Sequence, residues 1–162
     1  MGVSGSGKTT VASKLAGRLG WPFEEGDSLH PQANVEKMKA GHPLTDKDRA
    51  PWLDAIADWI DARLDAHENA VITSSALKRR YREVLNRRGG GVVFVFLSGA
   101  KRTIAPRLAR RRGHFMPAAL LDSQFHDLEP PTSDEPALTV DVDAPADAIV
   151  NDVIKRLQLD PG

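Results

Sequence analysis

The sequence predicts an α/β protein of three layers, α/β/α, with a parallel sheet covered by helices on both faces. Three observations predict it. Stretches with apolar residues at helical spacing alternate with short apolar runs along the whole chain, the pattern of strand–helix–strand units. Residues 70–73 and 92–97 are rich in β-branched and apolar side chains, as strands buried on both faces are. A glycine-rich phosphate motif, Gly2-Val3-Ser4-Gly5-Ser6-Gly7-Lys8-Thr9, leads directly into the first helical pattern.

The elements follow in order. Val11, Ala12, Leu15, Ala16 and Leu19 stripe a helix over 8–19. Residues 21–24 form a short segment ending at a Gly26-Asp27 turn, and a second helix over 31–39 stops at Gly41. Thr45 with Asp48 three residues on makes a capping-box start for a long helix whose stripe is Trp52, Ile56, Trp59, Ile60 and Leu64. A basic helix over 77–88 ends at Gly89-Gly90-Gly91, and another over 101–112 ends at Gly113. The run 138–142 precedes a last helix over 145–157 with Ile149, Val150, Val153, Ile154 and Leu157 on its buried side.

One domain spanning 1–162 accounts for the length, since 162 residues suffice for a single hydrophobic core. Hydrophobic residues make up 41% and charged residues 27%, as in water-soluble domains. Lys plus Arg (22) equals Asp plus Glu (22), so no global field favours nucleic acid or an anionic membrane. The run Arg110-Arg111-Arg112 reads as a solvated face and not as an RNA site. The absence of cysteine excludes thiol chemistry and Cys-ligated zinc. With no membrane-length apolar run and no leader pattern, a cytoplasmic enzyme is expected.

Each motif position has a chemical reason. Glycines let successive N–H groups face a phosphate, and the following helix adds its positive end. Lys8 reaches the β- and γ-phosphates of ATP, and the Thr9 hydroxyl ligates Mg²⁺. Gly2 through Thr9, with Thr10, form the expected nucleotide-binding set. Such a loop should follow a central strand, yet only Met1 precedes Gly2; a first strand of about ten residues upstream, lost through an internal start codon, is the expectation.

Ligands of parallel α/β sheets sit at the carboxyl ends of the strands. Asp27 stands there and is the expected catalytic carboxylate and a second metal contact, because the third strand ends in Thr73-Ser74-Ser75 without an acid. It could instead be a turn-forming Asp. Glu25 projects to the same side if the chain stays extended.

Read together, Glu25-Gly26-Asp27-Ser28-Leu29-His30-Pro31, Pro43-Leu44-Thr45-Asp46-Lys47-Asp48-Arg49-Ala50-Pro51-Trp52-Leu53, Ser75-Ala76-Leu77-Lys78-Arg79-Arg80-Tyr81-Arg82, Gly113-His114-Phe115 and Gln124-Phe125 through Leu128-Glu129-Pro130 resemble the gluconokinase family. The resemblance covers nearly the whole chain, and it implies a P-loop fold like those of adenylate and shikimate kinases. It implies ATP- and Mg²⁺-dependent phosphorylation of D-gluconate on its 6-hydroxyl, and a homodimer. An anionic polyol needs fixed cations and hydroxyl partners, for which Arg49, Lys78, His30, Ser75 and His114 are the candidates. Arg49 could alternatively pair with Asp46 or Asp48 on the surface, Lys78 could belong to a solvated face shared with Arg79 and Arg82, and His30 could brace the next helix.

In related kinases an R-L-x-x-R pattern, here Arg107 and Arg111, sets one Arg near adenine and another at the transferring phosphoryl. The implied lid runs over about 107–128, and an acceptor-binding helical segment over about 31–68. Asp143 and Pro145 fall where such kinases wrap adenine. Glu25 and Ser74 depart from the family's frequent Asp and Cys, the first weakening any metal role for Glu25. Other readings are a kinase of another small anion such as shikimate, or a nucleotide-binding module inactive without its first strand.

Overall fold

A computed structural model describes residues 1–110 and 118–160. Helix α1 (Lys8–Leu19) buries the predicted stripe Val11, Ala12, Leu15, Ala16 and Leu19 and ends on Gly20. Strand β1 (Phe23–Glu24) gives way to a 3₁₀ turn over Gly26–Leu29. Helices α2 (Gln32–Lys39) and α3 (Asp46–Asp65) follow, α3 opening with the predicted Thr45/Asp48 capping box. Next come β2 (Val71–Ile72), α4 (Arg79–Leu85), β3 (Phe94–Ser98) and α5 (Lys101–Ala109). Helix α6 (Ala118–Asp127), β4 (Ala137–Asp141) and α7 (Ala146–Arg156) complete the described chain.

All strand pairing among the described residues is parallel, as a sheet fed by helical crossovers requires. It forms two pairs, β1 with β2 and β3 with β4, where one continuous sheet was expected. The physical reason lies between them. The Leu97 N–H donates to Met1 O at 2.9 Å, the Met1 nitrogen donates to Val95 O at 2.6 Å, and the Gly2 N–H donates to Ser75 O at 3.2 Å. The backbone of Met1 and Gly2 thus runs between β3 and the loop after β2.

Two apolar clusters make the core. One joins the α1 and α7 faces to β3, β4 and α5, with Val150, Val153 and Ile104 fully enclosed. The other packs α3 on α4 through Trp52, Ile56, Tyr81 and Leu85. Burial of these side chains is the main stabilising contribution, at about 1.5–3 kcal/mol for each large one.

Arg82 corrects the sequence reading. Instead of sharing a solvated face, it is 2% exposed and paired with Glu135 at 2.6 Å. Its guanidinium also donates to Ala76 O (2.8 Å), Leu77 O (3.2 Å) and Glu129 O (2.9 Å). A charge this deep persists only when fully bonded. Here the bonds fasten the loop after β2, where Ala76 adopts φ 44°, to the segment after α6.

Candidate active site

The phosphate motif folds as a loop capping the N-terminus of α1. Gly7 is the N-cap with φ 99°, a left-handed conformation that only glycine takes without strain, and a Cβ there would project into open space. Lys8 Nζ folds back along the loop onto Gly2 O (3.0 Å) and Val3 O (3.1 Å). A cleft of about 370 Å³ opens above, lined by Ser4, Gly5, Gly7, Lys8, Thr9, Thr10, Asp27, Arg107 and Arg110. Val3 and Ser6 are buried under the loop and do not line the cleft. A second cavity of about 240 Å³, behind Val3 and bounded by Phe96, Phe125 and Leu128, contains no titratable group, so the chemistry belongs to the wider cleft.

The chain does not stay extended after Glu25. The turn at Gly26 sends Glu25 and Asp27 to different partners. Glu25 Oε2 accepts the Thr9 hydroxyl at 2.6 Å, and its other oxygen accepts the Thr73 hydroxyl. Gly26 makes this turn possible, because a Cβ on it would lie 1.8 Å from Thr73 O. Asp27 lines the cleft, and its carboxylate makes no hydrogen bond among the described residues, which removes the turn-capping explanation.

The residues fit a nucleotide and Mg²⁺. Lys8, Arg107 and Arg110 surround the cleft with positive charge beside the amides at the α1 N-terminus. No cluster of three or more metal-ligating side chains exists among the described residues. Magnesium needs none, since it is commonly held by one or two protein oxygens, phosphates and water. Because Thr9 gives its proton to Glu25, its oxygen keeps lone pairs to offer a cation.

Beside this cleft lies a second constellation, carried by the turn at Gly26, by α3 and by the start of α4. Trp52 Nε1 donates to Gly26 O at 2.8 Å, and His30 stacks on the Trp52 ring with centroids 4.1 Å apart. Asn34 Nδ2 lies 3.3 Å from His30 Nδ1 and donates to Asp48 O at 2.8 Å. Burial pushes the His30 imidazole below its ordinary pKa; Asp27 opposes the shift and Arg49 adds to it. Those three residues therefore share one electrostatic neighbourhood, and the bracing contact of His30 is real as well.

Arg49 is buried, and it does not pair with Asp46 or Asp48. Its NH1 donates to the Tyr81 hydroxyl at 2.9 Å and to Asp127 Oδ2 at 3.5 Å. Asp48 is engaged by the capping box and by Lys37 at 2.6 Å. Lys78, the N-cap of α4, pairs with Asp46 at 3.4 Å, where the Tyr81 hydroxyl and Arg80 also converge. That Tyr81 hydrogen bond, with Lys78 and Arg80, holds the Asp46 carboxyl below its usual range. The backbone of Ser75 touches the phosphate loop through Gly2.

On the opposite side Arg107 NH1 donates to Val142 O at 2.9 Å, bringing it to the turn that carries Asp143 and leads to Pro145, the N-cap of α7. Asp143 N–H is held by Asp141 Oδ1 at 2.8 Å; neither Asp143 nor Pro145 lines the cleft. Arg111 and His114 lie outside the described residues. Two residues were missed. Arg110 lines the cleft, and its i, i+3 spacing from Arg107 was a usable signal. Gln124 Oε1 accepts the Ser4 N–H at 2.7 Å, a contact across the fold that no local pattern announces.

A phosphate loop with its lysine and hydroxyl, set on parallel strands and followed by cleft-lining arginines, defines a P-loop kinase. The AAA domain family model matches residues 1–131. A structure of shikimate kinase from Aquifex aeolicus, 18% identical with TM-score 0.64 over 98% of this chain and 93% of its own, shares the fold. The chain is 52% identical to a gluconokinase of Gluconobacter oxydans over 98% of its own length and 89% of that relative. Structures of a sugar kinase from Janibacter sp. HTCC2649 (45% identical, TM-score 0.92, 99% and 93% covered) and of a gluconokinase from Sinorhizobium meliloti 1021 (46%, 0.87, 98% and 89%) superpose on it. The chain belongs to the gluconokinase family.

Proposed function

We propose that this kinase transfers the γ-phosphoryl group of ATP to the 6-hydroxyl of D-gluconate, giving 6-phospho-D-gluconate and ADP. One observation carries the assignment of roles. Asp27 lines the phosphate cleft and sits on the 3₁₀ turn leading to His30, which stacks on Trp52 of α3, the helix that carries Arg49, so it is read as standing at the junction of two subsites. In this reading Gly2 to Thr10 and Lys8 seat the phosphates, Arg107 faces the adenine side with Asp143 and Pro145, and Arg110 joins the cleft cations. Arg49 and Lys78 take the acceptor carboxylate, while His30 and Ser75 serve its hydroxyls.

Asp27 accepts the proton of the 6-hydroxyl as the O6–Pγ bond forms and the bond from Pγ to the β-phosphate oxygen breaks. Mg²⁺, held by Thr9 with Asp27 nearby, would supply charge neutralisation on the phosphates. Residues 31–68 would present the acceptor, and the segment 107–128, of which 111–117 lie outside the described residues, would cover the nucleotide and keep water from the transferring group. A coupled ADP-release assay tests the reading with D-gluconate, with shikimate and without acceptor. Turnover that depends on gluconate is expected. Equal turnover without acceptor, or turnover with shikimate alone, overturns it.

A further inference from the structure

We propose that Tyr81 is a positioning residue for acceptor recognition, holding Arg49 and Lys78 so that their charges face one carboxylate. The proposal rests on the reading of those two cations as acceptor ligands. Tyr81 lies in the first turn of α4, is 3% exposed, and is satisfied in both directions: its hydroxyl accepts from Arg49 and donates to Asp46. The Arg49 guanidinium carbon sits 5.3 Å from the ring centroid, and Lys78 Nζ and the exposed Arg80 guanidinium each sit 5.7 Å from it.

Two neighbouring cations repel each other and would splay apart in water. The negative face of an aromatic ring attracts both, and it does so without neutralising Arg49, while Lys78 also pairs with Asp46 at 3.4 Å. A phenol hydroxyl likewise fixes the direction of the guanidinium while leaving its charge available, which a tightly paired carboxylate would not. Asp127, the acidic partner of Arg49 among the described residues, is at 3.5 Å and so competes weakly. Both Arg49 bonds to described residues use NH1, and the Nε/NH2 edge remains to take a carboxylate in bidentate fashion. Asp46 completes the arrangement from its solvated side, accepting the Tyr81 hydrogen bond and pairing with Lys78 and Arg80.

Tyr81→Phe removes the hydroxyl and keeps the ring, so it tests orientation separately from packing. Steady-state kinetics with gluconate and ATP varied in turn should show gluconate KM raised about tenfold, as expected for losing a hydrogen bond to a charged group. The KM for ATP and kcat should stay within about twofold of the wild-type values, a split that uniform acceptor binding predicts. In an Arg49→Met background the same change should add less than about twofold, because coupled residues are not additive. An unchanged gluconate KM in Tyr81→Phe, even with lowered thermal stability, overturns the proposal. So does the full tenfold loss persisting without Arg49. If Arg49→Met alone leaves gluconate KM at the wild-type value, the acceptor reading itself fails and the proposal falls with it.

Discussion

Glu25 and Asp27 are two residues apart and chemically alike, yet the fold gives them different work. Glu25 is spent on two hydroxyls, Thr9 and Thr73, whereas Asp27 faces the cleft with no hydrogen bond to a described residue. Replacing Asp27 by Asn keeps the shape and removes the proposed base. The expected result is a fall in kcat of about 10²–10⁴-fold, the range for losing general-base assistance, with ATP affinity nearly unchanged. Equal losses in both would mark Asp27 as structural. Lys8, Thr9 and Asp27 were legible in the sequence because a contiguous motif or a strand end fixes their place. Arg82 was not: its burial is decided by Glu135, fifty-three positions away, and a basic run looks the same in sequence whether solvated or enclosed. Tyr81 escaped notice for a similar reason, since its partners Arg49 and Asp46 come from another helix.

At the scale of elements, the site depends on how closely β1 approaches the end of β2. Gly26 carries this contact, donating its N–H to Thr73 Oγ1 at 3.0 Å and accepting from Trp52 at 2.8 Å. In Gly26→Ala the new methyl group must push the backbone of Thr73 away. Overpacking of this kind costs about 1–3 kcal/mol, so Tm should drop by about 2–12 °C for a chain of this size. ATP binding should weaken too, because Glu25 would move off Thr9. A Tm and ATP affinity equal to the wild type would contradict the close approach. Helices α1 and α7 were legible almost to the residue, and α3 at its start, since amphipathic period and capping are local signals. Strands β2 and β3 came out shorter than their apolar runs, with β2 reduced to Val71–Ile72, because pairing depends on a neighbour that the run itself does not encode. Helix α6 went unassigned within the proposed lid; its anchors, Gln124 to the phosphate loop and Asp127 to Arg49, are tertiary.

For the whole molecule, zero formal net charge hides a strong local organisation. Lys8, Arg107 and Arg110 line the cleft together with Asp27, while Arg49, Lys78 and Arg80 gather around Tyr81. No described helix is long and apolar enough to cross a membrane. With the roles proposed above, cations on both sides of the Asp27 carboxylate would serve phosphoryl transfer between two anionic substrates. The most direct test is NMR of the product formed from ATP and D-gluconate carrying ¹³C at C6. One phosphorylated product is expected, equal in amount to the ADP released, with ³¹P–¹³C coupling at C6. Release of ADP with inorganic phosphate alone, or phosphate on any other gluconate oxygen, would contradict it.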